Sequence, residues 1–152
     1  MIKIIPVQKT DKDAKLIMEW RNNELTRKNS INTNIKKWDT FKTEFYDNYF
    51  NNIPLFATID NNKIAFVSFI KITENVYKIG INISPNYRGK KLSSKIICQS
   101  LNYIKVSYPK IQKIIAEIKT FNIPSIKAFK RSNFVFEKTT GTLNTYLYNI
   151  PH

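Results

Sequence analysis

The fold is decided by residues 79–104, which read IGINISPNYRGKKLSSKIICQSLNYI. Isoleucines alternate at positions 79, 81 and 83, which predicts a β-strand, and Pro85 ends it. The first N–H groups of a helix have no partner and lie at the positive end of its dipole, so the loop at 88–93 predicts an anion site that suits a phosphate. After this loop, apolar residues recur at the spacing of a helix that packs on the sheet: Leu92, Ile96, Ile97, Leu101 and Ile104.

Length and cysteine content narrow the class of protein. The chain has 152 residues, which suits one domain spanning 1–152. Its one cysteine, Cys98, lies in the pattern of a buried helical face, so neither a disulfide framework nor a metal site is expected. No apolar run has the length of a membrane span and no signal peptide is recognisable, so we expect a cytoplasmic protein without a membrane partner.

The formal net charge of +14 points to an anionic partner: nucleic acid, an anionic membrane or a phosphate-bearing small molecule. The lysines are dispersed along the chain rather than gathered in one block, which favours a compositional origin of the charge. A nucleic-acid partner is therefore not expected. The sequence leaves both a monomer and a homodimer open.

The remaining elements follow from periodicity and turn residues. A first helix begins at Asp11 or Asp13 and ends near Asn23, and a polar stretch leads to position 34. A second helix covers 38–49, the third begins at 92, and the fourth runs from Pro124 to about 131. Strands are predicted at 2–7, 55–59, 64–72, 76–83, 113–118, 134–137 and 142–150.

Two blocks of sequence carry a family resemblance. The first is residues 81–93, and the second comprises Ala116-Glu117-Ile118, Asn122, Ser125, Ile126 and residues 130–134. With the element order, they resemble the GNAT superfamily of acyl-CoA N-acyltransferases over essentially the whole chain. The resemblance implies an α/β fold with a mixed, mostly antiparallel sheet of about seven strands, splayed in the middle, and about four helices. It also implies acetyl-CoA as co-substrate and no metal.

The resemblance assigns a set of residues to acetyl-CoA. The family's loop has small residues at the positions held here by Lys91 and Ser93, because the backbone must approach the pyrophosphate closely. A loop that binds through backbone N–H groups tolerates side chains that point outward, and lysines here could add contacts to phosphate. The residues implied to bind the cofactor are Ile81, Ile83, Arg88, Gly89, Lys90, Lys91, Leu92, Ser93, Asn122, Ser125 and Phe129.

The resemblance also suggests the catalytic groups. Glu117 matches a position that some GNAT enzymes use to accept the amine's proton through water, although a strand carboxylate paired with a lysine is the alternative. Phe129 stands where family members commonly carry a tyrosine, and it has no proton to give. Tyr146 is therefore the predicted acid, with Tyr148, Tyr103 or solvent as alternatives.

A narrower likeness suggests the acceptor. The segment 19–33 looks like the entry segment of GNAT enzymes that acetylate nucleotide-linked amino sugars in nonulosonic acid biosynthesis. The predicted reaction is direct acetyl transfer from acetyl-CoA to such an amine. The alternatives are a protein N-terminal or ribosomal-protein acetyltransferase, a nucleic-acid-binding module, and a non-catalytic CoA-binding domain. The predicted substrate-binding residues are Arg21, Asn22, Arg27, Asn29, Asn32 and Lys71.

Overall fold

A computed structural model describes residues 1–152 and contains seven strands and five helices. The strands are β1 (Ile2–Pro6), β2 (Ile53–Ile59), β3 (Asn62–Lys71), β4 (Val76–Ile83), β5 (Lys113–Lys119), β6 (Val135–Thr140) and β7 (Leu143–Asn149). The helices are α1 (Asp11–Asn22), α2 (Glu24–Asn29), α3 (Trp38–Asn48), α4 (Ser93–Ser107) and α5 (Ile123–Arg131).

The strands form one sheet in the order β1-β2-β3-β4-β5-β7-β6. Every neighbouring pair is antiparallel except β4 and β5, which are parallel. The parallel pair is possible because α4 carries the chain back across one face of the sheet between them. The predicted mixed, mostly antiparallel sheet of seven strands is confirmed.

The two parallel strands separate part-way along their length. Their pairing begins at Val76 with Lys113 and ends at Ile79 with Ala116. Beyond that point β4 stays paired with β3 as far as Ile83, and β5 stays paired with β7 to its last residue. The sheet is therefore open between residues 80–83 and 117–119, which is the predicted splay in the middle.

The structure adds one short helix to the four that the sequence predicts. The polar stretch after α1 contains α2, for which Asn23 is the N-terminal cap. The backbone of Asn23 leaves the helical region, with ψ of 136°, and its side-chain oxygen accepts hydrogen bonds from the N–H groups of Leu25 and Thr26. A side chain that ends one helix and caps the next divides the segment in two.

Two apolar clusters hold the sheet between layers of helices. One contains 23 buried residues and lies under α4 and α5, including the predicted stripe residues Ile96, Ile97, Leu101 and Ile104. The other contains eight buried residues beneath α1 and α3, among them Trp20, Phe41, Phe45, Phe56 and Phe66.

Cys98 is exposed, so the expectation that it lies on the buried face of α4 is wrong. Its neighbours Ile96 and Ile97 take the buried positions.

None of the helices combines the length and the apolar character that a membrane span requires. No cluster of three or more His, Cys, Asp or Glu side chains that could hold a metal ion is present.

Candidate active site

The loop between β4 and α4 exposes an unbroken series of backbone donors. The N–H of Arg88 bonds to the carbonyl of Pro85, and that of Ile96 to the carbonyl of Leu92. Between them, the seven N–H groups of residues 89–95 have no acceptor within the protein. The three last belong to the first turn of a 15-residue helix, where the dipole adds positive potential. These donors can hold an anion of the size of a pyrophosphate.

The unusual lysine in this loop adopts a backbone conformation that favours glycine. Gly89 has φ of 73° and Lys91 has φ of 57°. A side chain in this left-handed region costs about 1 kcal/mol, which glycine avoids. Lys91 and its neighbour Lys90 are exposed, so their side chains leave the N–H groups open. The loop thus keeps its turn although the sequence lacks a glycine at position 91.

We predict that Lys91→Gly raises the free energy of unfolding by up to about 1 kcal/mol, because it removes the left-handed strain. The affinity for CoA should stay within about threefold of the wild-type value, since backbone donors dominate the site. Denaturant unfolding and calorimetric titration with CoA measure both quantities.

Lys90→Gly is the matched control, because Lys90 does not have a positive φ. It removes the same charge from the adjacent position, adds chain entropy and removes the contact of the Lys90 ammonium group with the Tyr87 ring, so it should destabilise by about 1 kcal/mol. Equal destabilisation by both substitutions would contradict the role of backbone strain at Lys91.

The open edge of β4 offers a second set of backbone groups. The N–H of Ser84 donates to the carbonyl of Ile64 on the β3 side. Because backbone polar groups alternate between the two sides of a strand, those of Ile81 and Ile83 face β5. Pairing with β5 has ended at Ile79, so these groups lie free at the splay. They are the donors predicted for the cofactor, and that role stays a prediction.

Residues of α5 flank the other side of the splay. The side-chain oxygen of Asn122 accepts the N–H of Ser125 at 3.4 Å, so Asn122 caps this helix. Its amide nitrogen donates to no protein group and is available for a ligand. Phe129 is different: it is 3% exposed and packs edge to face on Phe134, at 5.0 Å between ring centres. The structure therefore places Phe129 in the core and not on the wall of the splay.

Glu117 lies where the two strands begin to diverge. It follows Ala116, the last β5 residue paired with β4, and its side chain is on the opposite face from the buried Ala116 and Ile118. A carboxylate oxygen lies 3.0 Å from Nζ of Lys78, and about 30% of each side chain is exposed. The alternative expected for Glu117, pairing with a lysine, is thus present. The carboxylate is still reachable from the splay.

The side chain of Tyr146 does not lie at the splay between β4 and β5. It pairs across from Ala116 and faces the core beneath α5, with 2% of its surface exposed. Its ring packs against Phe136, and its hydroxyl lies 3.5 Å from the amide nitrogen of Asn144. A hydroxyl enclosed in this way has no open path to a leaving thiolate, so the predicted role of Tyr146 finds no support in its position.

Helix α2 lies across the mouth of the splay. The guanidinium of Arg88, just after β4, donates to the side-chain oxygen of Asn23 at 2.7 Å and to the hydroxyl of Thr26. At the other end of the helix, Nζ of Lys119, the last residue of β5, donates to the carbonyl of Lys28 at 2.9 Å. Asn23, Thr26 and Lys119 were not identified from the sequence, because no local pattern marks contacts between such distant residues.

Several predicted acceptor residues hold the backbone instead of remaining free. The amide of Asn22 accepts the N–H of Lys36 at 2.7 Å and donates to its carbonyl at 2.8 Å. Asn32 accepts the N–H of Asn34 at 3.0 Å in an exposed loop. Arg27 uses only its Nε, which donates to the carbonyl of Asn22, so its two terminal nitrogens remain available. Asn29, at the end of α2, is half-buried and its side chain forms no hydrogen bond.

Arg21 lies beside an aromatic wall of the cleft. Burial raises the pKa of the Tyr49 hydroxyl to about 12, and the positive charge of Arg21 opposes this shift. The ring of Tyr49 stacks on Phe66 at 5.8 Å between centres. Phe66 pairs with Asn82 of β4, so this wall borders the open part of that strand.

Lys71 lies away from the splay, which corrects its assignment to the acceptor. It pairs with Tyr77, whereas the open residue Ile81 pairs with Val67. Four residues of strand separate the two positions, or about 13 Å. Its ammonium group forms an ion pair with Glu74 at 2.6 Å, which raises the pKa of Lys71. An antiparallel hairpin necessarily puts the end of β3 beside the start of β4.

These features define a class of site. Free N–H groups that suit a pyrophosphate lead to a strand edge that can pair with an amide-bearing arm, and acyl-CoA carries these two groups in this order. Residues 3–135 match the family model described as an acetyltransferase (GNAT) domain, so the chain belongs to this family. The predicted enzyme class, an acetyl-CoA-dependent N-acetyltransferase, is confirmed.

Solved structures share the fold over nearly the whole chain. A domain from Methanocaldococcus jannaschii is 26% identical, with 98% of each chain covered and a TM-score of 0.81. Spermidine N-acetyltransferase from Vibrio cholerae, in complex with CoA and spermine, is 16% identical over 98% of this chain and 95% of its own, with a TM-score of 0.81. Aminoglycoside acetyltransferase AAC(6')-Ib, in complex with coenzyme A, is 13% identical over 98% of this chain and 95% of its own, with a TM-score of 0.82. No curated protein matches the sequence significantly.

Proposed function

We propose that this protein acetylates the amine of an anionic small molecule, and that the acceptor class is a nucleotide-linked amino sugar. The proposed acceptor class rests on one observation, which is the positive charge at the mouth of the cleft. Arg27 and Arg88 donate hydrogen bonds to residues at the junction of α1 and α2, and Arg21 lies in the last turn of α1. None of the three forms an ion pair with a carboxylate. Guanidinium groups without carboxylate partners favour a phosphate-bearing ligand.

This charge also argues against a polycationic acceptor. Similar structures were solved with spermine and with kanamycin, which both carry several amines. A polyamine at this mouth would meet the three guanidinium groups and Lys119, and none of these four cations is ion-paired with a carboxylate. Like charges at such distances repel, so a cationic acceptor is disfavoured.

In the proposed reaction, bound acetyl-CoA supplies the activated acetyl group. The free N–H groups at Ile81 and Ile83 face the splay and stabilise the developing oxyanion. Glu117 takes the proton from the acceptor amine through water, so that its lone pair attacks the thioester carbon and forms the amide. The carbon–sulfur bond breaks, and the leaving thiolate takes its proton from solvent, because neither Phe129 nor the enclosed Tyr146 can donate one there.

A thiol-release assay with acetyl-CoA tests the acceptor class. The panel comprises nucleotide-linked amino sugars, the same amino sugars without the nucleotide, spermine, and basic peptides. We predict the highest kcat/KM for a nucleotide-linked sugar. Arg27→Gln should raise its KM about tenfold, since a hydrogen bond to a charged group is worth about 1.5–3 kcal/mol.

Arg131→Gln is the matched control, because Arg131 is exposed at the end of α5 and forms no side-chain bond or ion pair. It should leave the KM for every acceptor unchanged. Turnover that is highest with spermine or a basic peptide would overturn the proposed acceptor class while leaving the acetyltransferase assignment in place.

A further inference from the structure

Lys78 and Glu117 form an ion pair that joins the two strands just where they diverge. Nζ of Lys78 lies 3.0 Å from Oε1 of Glu117, and the last paired residues of the two strands are Ile79 and Ala116. We propose that Lys78 is a positioning residue for Glu117, because its ammonium group holds one carboxylate oxygen and leaves the other to take the proton. The inference rests on the proposed role of Glu117 as the base and is independent of the acceptor class.

The backbones of the two partners are held unequally. Lys78 is paired on both sides, with Ile70 of β3 and with Ile115 of β5. Glu117 is paired on one side only, with Thr145 of β7, because the pairing of β5 with β4 ends one residue earlier. Lys78 is therefore a fixed point in the sheet from which a charged group reaches the less supported Glu117.

The carboxylate of Glu117 has one polar partner in the protein, the ammonium group of Lys78. About 30% of each side chain is exposed, so a carboxylate without this partner is free to turn toward solvent. A base must lie within hydrogen-bond reach of the proton that it takes, and fixing its orientation in advance removes part of the entropic barrier. The ion pair supplies this fixation at the splay.

The space beside the carboxylate is open on the side of β4. Side chains alternate between the faces of a strand, so Gly80 is the next residue of β4 on the face of Lys78. The register places Gly80 across from Glu117, at the first position where the two strands are no longer paired. Because Gly80 has no side chain to fill this gap, an amine and a water molecule can approach the oxygen that Lys78 does not hold.

A double-mutant cycle measures whether Lys78 acts through Glu117. The assay is thiol release at saturating acetyl-CoA, with the acceptor of the panel that is turned over fastest, whatever its class. Lys78→Met should lower kcat about five- to tenfold, since a partly exposed ion pair biases the orientation of a side chain only moderately. Lys78→Arg keeps the positive charge and should stay within about twofold of the wild type. In the Glu117→Gln background, Lys78→Met should change kcat by less than about twofold, because no base remains to be positioned.

Lys71→Met is the matched control, because it also breaks a close ion pair between a strand lysine and a glutamate, away from the splay. It should leave kcat and KM unchanged. An equal loss of kcat from Lys78→Met in both backgrounds would overturn the inference. An effect on the KM of the acceptor alone would also overturn it, because Lys78 would then be a substrate contact.

The kinetics also separate this inference from the proposed function. Full activity of Glu117→Gln would overturn the role of Glu117 as the base, and the role of Lys78 with it. A slow Glu117→Gln beside a fully active Lys78→Met would overturn the role of Lys78 alone.

Crystal structures of the wild type and of Lys78→Met give a readout that requires no acceptor. The carboxylate of Glu117 should occupy one orientation in the wild type and more than one in the variant. A single orientation shared by both proteins would overturn the inference, even if no acceptor of the panel is turned over.

Discussion

Replacing Glu117 with glutamine is expected to lower kcat for acetyl transfer by about 10²-fold or more, the usual contribution of a positioned general base. The carboxylate lies at the point where β4 and β5 diverge, on the face of the sheet opposite the cluster under α4 and α5. Glutamine keeps the size of the side chain but cannot accept a proton from the amine. The measurement is thiol release at saturating acetyl-CoA.

The loss should come from chemistry and not from unfolding. The Glu117–Lys78 pair is partly exposed, so its removal should cost about 1 kcal/mol or less. Glu117→Asp should retain part of the activity, and calorimetry should show unchanged affinity for CoA. Glu137, which is exposed on β6, offers the matched control, because Glu137→Gln should be fully active. Near wild-type turnover by Glu117→Gln would rule out Glu117 as the base.

Phe45→Ala should lower the free energy of unfolding by about 3–5 kcal/mol. Phe45 is completely buried in the smaller apolar cluster, between α3 and the sheet. Its ring lies 5.1–6.3 Å from the ring centres of four aromatic neighbours: Phe41, Tyr46, Tyr49 and Phe50. Truncation leaves a cavity that these four packed rings cannot readily fill.

Thermal unfolding measures this effect, because about 1 kcal/mol corresponds to roughly 2–4 °C in a chain of this size. Phe121→Ala is the control, since Phe121 is half exposed and should cost about 1 kcal/mol or less. Below the transition, Phe45→Ala should still bind CoA, because the phosphate loop and α4 belong with the other cluster. A loss below about 1 kcal/mol would contradict the packing described for Phe45.

Much of the fold could be predicted because its signals are local. The alternation at 79–83 and the helical stripe from Leu92 to Ile104 each lie within one element, and both were confirmed. The cap at Asn122 likewise depends on residues three positions apart. The division at Asn23 was missed, since a capping residue inside a polar stretch resembles an ordinary loop residue.

The candidate site was predictable only in its backbone part. The loop at 88–95 follows from a strand that ends before a helix, so its free donors could be expected from the sequence. Side-chain roles were harder to predict, because the hydrogen-bond partner of a polar side chain is set by the tertiary structure and not by neighbouring residues in the sequence. Asn22 was expected to bind substrate and instead holds the backbone of Lys36, which is 14 residues away.

The sequence by itself determined the elements, the anion loop and the face of β5 on which Glu117 lies, since periodicity and helix ends are properties of neighbouring residues. Only the tertiary structure decided that Arg88 turns to α2, that Lys71 lies at the far end of its strand, and that Tyr146 is enclosed. The contacts of Arg88 and Lys119 join residues 62–91 positions apart. Such contacts depend on the order of the strands and on the orientation of each helix. Successive residues are rotated by about 100° around a helix axis, so Cys98 is exposed although the adjacent Ile97 is buried.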